Sequence, residues 1–308
     1  MIAVLAGGVG GAKFLQGLVR VLGDERLTVV GNVGDDLDVM GLHVSPDLDT
    51  LMYMLAGLFD EGRGWGIKND SFNFLSMMER YGQEAWFRIG DMDLATHITR
   101  SRLLAKGLPL TEVTRRLCKM LGVEAEVLPA TDDPVRTKVE TEEGVLSFQE
   151  YFVKRRFESN FRGVAFEGSE SARPSPEVLK ALKAARGIVL APSNPVVSIG
   201  CILSIPGIKQ AIVESEARKV AVSPLIAGKA VKGPADRMLR GLGVESTVAG
   251  VASLYRGLID TFIIDKEDSQ LAEPIRRLGM DVVVEETLMS TLESRVKLAA
   301  AALRALEA

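Results

Sequence analysis

Two carboxylate-rich segments carry the first chemical signal. Asn32-Val33-Gly34-Asp35-Asp36-Leu37-Asp38 is followed closely by Ser45-Pro46-Asp47-Leu48-Asp49-Thr50. Two carboxylates ~4 Å apart repel by about 4 kcal/mol at an effective dielectric of 20. Such a cluster is tolerable when a divalent cation sits among its oxygens, which makes the cluster as a whole a candidate metal site. The plainer alternatives are a solvated loop for Asp35–Asp38 and a helix N-cap for Asp47. A glycine-rich segment, Gly7-Gly8-Val9-Gly10-Gly11-Ala12-Lys13, can bring backbone N–H groups and a helix N-terminus to phosphate oxygens. It is neither a Walker loop nor a complete dinucleotide fingerprint. Ala12 and Phe14 stand where the Walker pattern needs Gly and Ser/Thr, and Lys13 stands where the fingerprint needs its third glycine. Further along, Gly90-Asp91-Met92-Asp93 leads to His97 and Arg100, about one helical turn apart and able to donate to anionic oxygens. Ser193, Asn194 and Pro195, then Ser223–Lys229, offer polar loops. Thr131-Asp132-Asp133-Pro134 reads as an Asp-Pro turn.

These loops have to be held by something, and the pattern around them indicates what. Ile2–Leu5, Leu27–Val30, Ile188–Ala191, Val220–Val222, Phe262–Ile264 and Val282–Val284 are apolar runs of strand length. Helical patterns at 12–22, 176–185, 205–215, 235–242 and 292–306 separate them. Strands without polar alternation, separated by helices, predict an α/β fold with a Rossmann-like parallel sheet covered on both faces. Ligands of such a sheet bind beyond the carboxyl ends of its strands, which is where the glycine loop, the Asp35 segment and Ser193–Pro195 fall. Residues 67–154 read as a mostly helical insertion. It carries helices at 93–106 and 111–121 and a hairpin at 136–149, covers the active site, and interrupts a core made of 1–66 and 155–308. Residues 155–175 read as an irregular link back to that core.

Composition narrows the class. A chain of 308 residues can bury a large core. Its net charge of -4, with no basic stripe, argues against a nucleic-acid partner. Only 2 histidines exclude a His-rich metal site, while 41 acidic residues favour oxygen ligands and hence magnesium or calcium. Cys118 and Cys201 form no CxxC and suit a reducing cytoplasm. The apolar start ends at Gly7, too short for a signal peptide or a membrane span.

In their order, GGVGGAKF, NVGDD, SPDLDT, RGWG, GDMDLATH, PATDDPV, APSNPVVSIG and SPLIAGK resemble the 2-phospho-L-lactate transferase family (CofD/FbiA-like). The resemblance implies a magnesium-dependent cytoplasmic enzyme of coenzyme F-420 biosynthesis, dimeric, with a Rossmann-like core. It implies transfer of a phospho-lactyl or phospho-enolpyruvyl group from a guanosine diphosphate conjugate to the deazaflavin Fo. F-420-0, or its dehydro form, and GMP are the products. GGVGG and NVGDD lean towards the enolpyruvyl form. By the same resemblance, Asp35 and Asp49 handle metal and substrate, and Asp49 and Arg88 contact Fo. Gly8, Val9, Gly10 and Gly11 with Ser193, Asn194 and Pro195 match the nucleotide side. Arg88 stands where some members carry lysine, a cation of different hydrogen-bond geometry. Asp36 or Asp47 is the expected proton acceptor, His97 and Arg100 stabilise oxygens, and Trp65, Phe72 and Trp86 can wall the ring, with core packing the plainer reading of each. Two rival readings are a non-catalytic Rossmann-type nucleotide-binding regulator and an NAD-linked oxidoreductase. The second expects an acidic residue ending strand two, where Asn32 stands.

Overall fold

A computed structural model describes residues 1–307. β1 (Ile2–Ala6) leads into α1 (Gly8–Val21) and β2 (Leu27–Gly31). A small hairpin, β3 (Leu37–Val39) and β4 (Leu42–Val44), precedes α2 (Pro46–Leu55). Next come α3 (Asn73–Arg80), α4 (Asp91–Ala105), α5 (Leu110–Met120) and β5 (Glu126–Pro129). β6 (Arg136–Thr141), β7 (Gly144–Ser147) and β8 (Phe161–Glu167) form a separate antiparallel sheet in the order β7-β6-β8. Then follow α6 (Pro176–Ala184), β9 (Gly187–Leu190), α7 (Ile199–Ser204), α8 (Ile208–Glu214) and β10 (Arg218–Val222). A two-residue-strand hairpin, β11 (Leu225–Ile226) and β12 (Lys229–Ala230), leads to α9 (Ala235–Gly241) and α10 (Val248–Leu254). β13 (Thr261–Asp265), α11 (Ala272–Arg276), β14 (Asp281–Glu285) and α12 (Leu292–Glu307) complete the chain.

The main sheet has seven strands in the order β14-β13-β10-β9-β1-β2-β5, all parallel. Its central strands are continuous apolar runs because helices cover both faces, and β1, β2 and β9 are buried along their whole length. α1 buries Gly11, Ala12, Phe14, Leu15 and Leu18, a stripe at helical spacing. The chain runs outward from β1 through β2 to β5, then returns to β9 and runs outward the other way. Loops after β1 and β9 therefore diverge at a topological switch point, the usual opening for a ligand in an open α/β sheet.

The predicted strands and hairpin form, but residues 67–154 are not uniformly outside the core sheet. β5 lies within that stretch and pairs with β2, Thr28 opposite Glu126. β8 lies in the segment expected to be an irregular link, and pairs with β6 to extend the hairpin sheet. In the Thr131–Pro134 segment the chain bends at Asp132 and Asp133, and the carboxylates tie it to its neighbours: Asp132 accepts from the Thr111 N–H at the start of α5, and Asp133 from the Arg173 N–H. No helix among the described residues is long and apolar enough to cross a membrane.

Candidate active site

A cleft of about 640 Å³ runs along the carboxyl edge of the sheet. Its lining comes from the residues after β1 (Gly7–Gly10, Lys13), β2 (Asp35), β9 (Pro192–Asn194), β10 (Ser223, Pro224) and β14 (Thr287, Met289). The N-terminal half of α2 contributes Asp47, Asp49 and Tyr53, and α4 contributes Asp93 and His97. An aromatic wall of Trp65, Trp86 and Phe87, with Arg88, faces them, and Phe148, Gln149 and Phe152 close another side.

The glycine loop and the Ser193 loop are locked together. The Ser193 hydroxyl accepts from the Gly7 N–H at 3.0 Å and donates to the Gly7 carbonyl at 2.8 Å. A Cβ on Gly10 would stand 2.2 Å from the Pro192 carbonyl oxygen, so only glycine lets the two loops approach this closely. Gly8, Val9, Gly10, Ser193 and Asn194 line the cleft as the sequence suggests. Gly11 and Pro195 do not. Gly11 packs against Ala6 and the Ser193 hydroxyl, and the Pro195 carbonyl lies beside Gly200. Asn194 turns its oxygen to its own loop, accepting from the N–H groups of Val196 and Val197. Ser198, from the same APSNPVVSIG segment, joins the lining beside Gly7.

Asp47 is not a helix cap. Pro46 opens α2, so Ser45 holds the cap position, and the Asp47 carboxylate points instead to the α1 N-terminus. It accepts from Asn32 Nδ2 at 2.9 Å and from the Gly8 N–H. Burial raises its pKa most, to about 6, with Asp36 adding to the rise and the Asn32 and Gly8 hydrogen bonds opposing it. Asp35 is also buried, and burial followed by the charge of Asp47 pushes its carboxyl well above the ordinary range. One of its oxygens, Oδ1, is buried without a hydrogen-bond partner. Asp36, by contrast, does not line the cleft. Ser45 Oγ donates to its Oδ2 at 2.9 Å, and His43 Nε2 lies 3.0 Å from the same oxygen.

Asp49 belongs to a second group. Arg100 grips it with both terminal nitrogens, Nη1 at 3.1 Å from Oδ2 and Nη2 close to Oδ1. Arg100 is wholly buried and outside the cleft lining, so it does not reach a substrate oxygen. It acts behind Asp49. Burial works against the charge of Arg100, but Asp49 more than restores it; burial in turn raises the Asp49 carboxyl, with Arg100 and His97 opposing the rise. His97 does line the cleft, with Nδ1 3.7 Å from Asp49 and Nε2 3.3 Å from Asp93. Burial opposes ionisation of Asp93, yet His97, Tyr53 and Arg100 hold its carboxyl below the usual range. The Tyr53 hydroxyl donates to Asp93 at 2.7 Å. Asp35 and Asp49 thus share one cleft from two different polar clusters. Among the described residues no group of three or more His, Cys, Asp or Glu side chains is arranged to hold a metal.

Arg88 is exposed at the rim, its guanidinium 4.8 Å from the Phe72 ring centroid. Phe72 stands behind the wall, edge-on to Trp65 at 5.9 Å, rather than in it. All three expected aromatics are half-buried rather than core. Phe148 and Phe152, stacked with rings 5.5 Å apart at 8°, also line the cleft and are not marked by the alternation over 144–149, which ends before Phe152. Their i, i+4 spacing was the available signal.

Comparison with known proteins gives the family and the fold. A family model described as 2-phospho-L-lactate transferase CofD matches residues 2–298. A phosphoenolpyruvate transferase of Streptomyces griseus is 42% identical, over 99% of this chain and 98% of its own. A 2-phospho-L-lactate transferase of Methanosarcina mazei is 40% identical, over 96% of this chain and 97% of its own. In fold, a UPF0052-family protein of Bacillus halodurans superposes with a TM-score of 0.67 at 17% identity, covering 98% of both chains. Glycine loop, carboxylate floor and whole-length sequence similarity converge on one conclusion: the chain belongs to the 2-phospho-L-lactate transferase CofD family.

Proposed function

We propose that this protein transfers a phospho-lactyl or phospho-enolpyruvyl group from a guanosine diphosphate conjugate to Fo, in coenzyme F-420 biosynthesis. The observation that carries the reading is the cleft itself, which pairs a phosphate-type glycine loop with buried carboxylates on a chain of this family. The Fo hydroxyl oxygen forms a bond to the phosphorus bearing the acid, and the bond from that phosphorus to the GMP oxygen breaks. Chemistry of this kind rests on positioning and charge neutralisation.

The chain's residues take distinct parts in this scheme. The Gly8 N–H is taken by Asp47, which leaves the N–H groups of Val9 and Gly10 and the α1 dipole to face the diphosphate. Asp47 lines the cleft and its raised pKa makes it a stronger base than an ordinary carboxylate, so it is preferred to Asp36 as acceptor of the Fo proton. His97 donates to a developing charge, and Arg100 holds Asp49 in place. Arg88 and the Trp65–Trp86 wall receive the flat ring.

Magnesium fits the residues present. Asp35 offers a buried oxygen without a partner, and Asp49 lines the same cleft. Magnesium commonly takes one or two carboxylates and completes its shell with water and substrate phosphates. Held there by Asp35 and Asp49, it would neutralise diphosphate charge and lower the pKa of a bound hydroxyl.

A homodimer and a cytoplasmic location belong to the same proposal, tested by sedimentation equilibrium and by cell fractionation. Turnover tests the function. Purified protein with Fo, magnesium and each guanosine conjugate should release GMP and give F-420-0 or its dehydro form by mass. No product from either conjugate overturns the reading.

A further inference from the structure

Two lysines in the cleft have no anionic partner. Lys13, in the second turn of α1, and Lys232, on the loop between β12 and α9, both line it. Among the described residues neither makes an ion pair. Glu61 attracts Lys13 from a distance, but it is engaged by Arg295, whose Nη1 donates to it at 2.9 Å. The Lys232 ammonium crosses to the opposite wall and donates to the Gly64 carbonyl at 3.1 Å. Gly64 has a φ of +76°, and with no Cβ it leaves the Lys232 Nζ room beside its backbone.

Burial lowers the pKa of both lysines, and Lys13 lowers that of Lys232 further. Two ammoniums drawn into one cleft disfavour each other, and an anion seated between them offsets that cost. The deeper cleft is acidic, with Asp35 and Asp47, so a polyanionic ligand needs cations elsewhere in it. A lysine ammonium is a compact point charge suited to phosphate or carboxylate oxygens.

We propose that Lys13 and Lys232 together form the subsite for the anionic oxygens of the donor, either its phosphates or the carboxylate of its three-carbon acid. The proposal rests on the donor reading given above. The loop bearing Lys232 and the helix bearing Lys13 both lie on the sheet-edge side of the cleft, with the glycine loop. The aromatic wall that receives Fo only supplies the Gly64 carbonyl.

Titration calorimetry tests it with three probes: guanosine diphosphate, inorganic pyrophosphate and phosphoenolpyruvate. Lys13→Met and Lys232→Met should each weaken guanosine diphosphate and pyrophosphate by about tenfold or more if phosphate is the ligand. If the carboxylate is the ligand, both variants weaken phosphoenolpyruvate by about tenfold and leave pyrophosphate unchanged. Lys232→Arg should keep most of the affinity, and Lys229→Met, outside the cleft, should match the wild type. Unchanged affinity for all three probes in both methionine variants overturns the subsite. Wild-type binding of pyrophosphate and phosphoenolpyruvate without guanosine diphosphate would sink the guanosine reading and leave the lysine pair standing. Binding of none of them would sink both.

Discussion

At the scale of single residues, the decisive distinction is between side chains that face the cleft and side chains that hold them. Arg100 illustrates it. Its type and its spacing from His97 were legible in the sequence, but its direction was not, because spacing places a residue on a helix face without saying what that face meets. The structure turns it inward onto Asp49. Arg100→Met should therefore leave a buried carboxylate uncompensated and cost about 3–5 kcal/mol of stability by denaturant unfolding. A variant that folds with wild-type stability and loses only turnover would make Arg100 a direct substrate contact instead. Asp35→Asn should fold at least as stably as the wild type, since burial already disfavours its charge, yet lose ~100-fold or more in transfer rate. Near wild-type rates at saturating magnesium would remove Asp35 from the metal site. Asp47 carries a pH signature. Its folded pKa of about 6 lies above the ordinary value near 3.9, so the ligand-free folded state binds its proton more tightly than the unfolded chain. Stability should then fall as pH rises from about 4 through 6, and Asp47→Asn should flatten that part of the melting-temperature profile. An unchanged slope in the variant would assign the dependence to another group.

At the scale of elements, the parallel strands were legible because buried strands in such a sheet are continuous apolar runs. β1, β2, β9 and β13 are buried along their whole length, β10 over Val220–Val222, and the edge strand β14 is marked only by its short run Val282–Val284. β5 was not, because it begins at Glu126 and ends at Pro129, which leaves too short an apolar stretch to mark an edge strand. β8 was hidden by its charged and glycine residues, of which only Gly163 is buried. The glycine loop was legible as a phosphate cradle by type, but its division of labour was not. Gly10 is required by the Pro192 carbonyl, a contact between loops far apart in the chain, and so is the Ser193–Gly7 pairing. Ser193→Ala should lose both hydrogen bonds and leave buried backbone groups unpaired, at a cost of about 1–3 kcal/mol. Guanosine diphosphate should bind the variant more weakly, because the loop that presents its N–H groups is no longer tied. Unaltered affinity and melting temperature would show that the loop holds its shape without the serine.

At the scale of the whole molecule, function comes from where the chain reverses its direction of sheet growth. The loops after β1 and β9 open there, and elements from most of the chain, α2, α4, the 61–88 wall and the Phe148–Phe152 turn, are brought around the gap. The sequence showed the motifs in order but not that Lys232 would cross to Gly64, since that contact joins residues 168 apart. The arrangement implies one cleft with two substrates on opposite sides. The guanosine conjugate lies along the sheet edge, and Fo lies against the aromatic wall. Steady-state kinetics of Arg88→Ala, with each substrate varied in turn, tests this directly. Arg88 sits at the rim beside that wall, so the variant should raise the Michaelis constant for Fo about tenfold and leave that for the guanosine conjugate unchanged. A rise confined to the guanosine conjugate would contradict the placement and exchange the two sites.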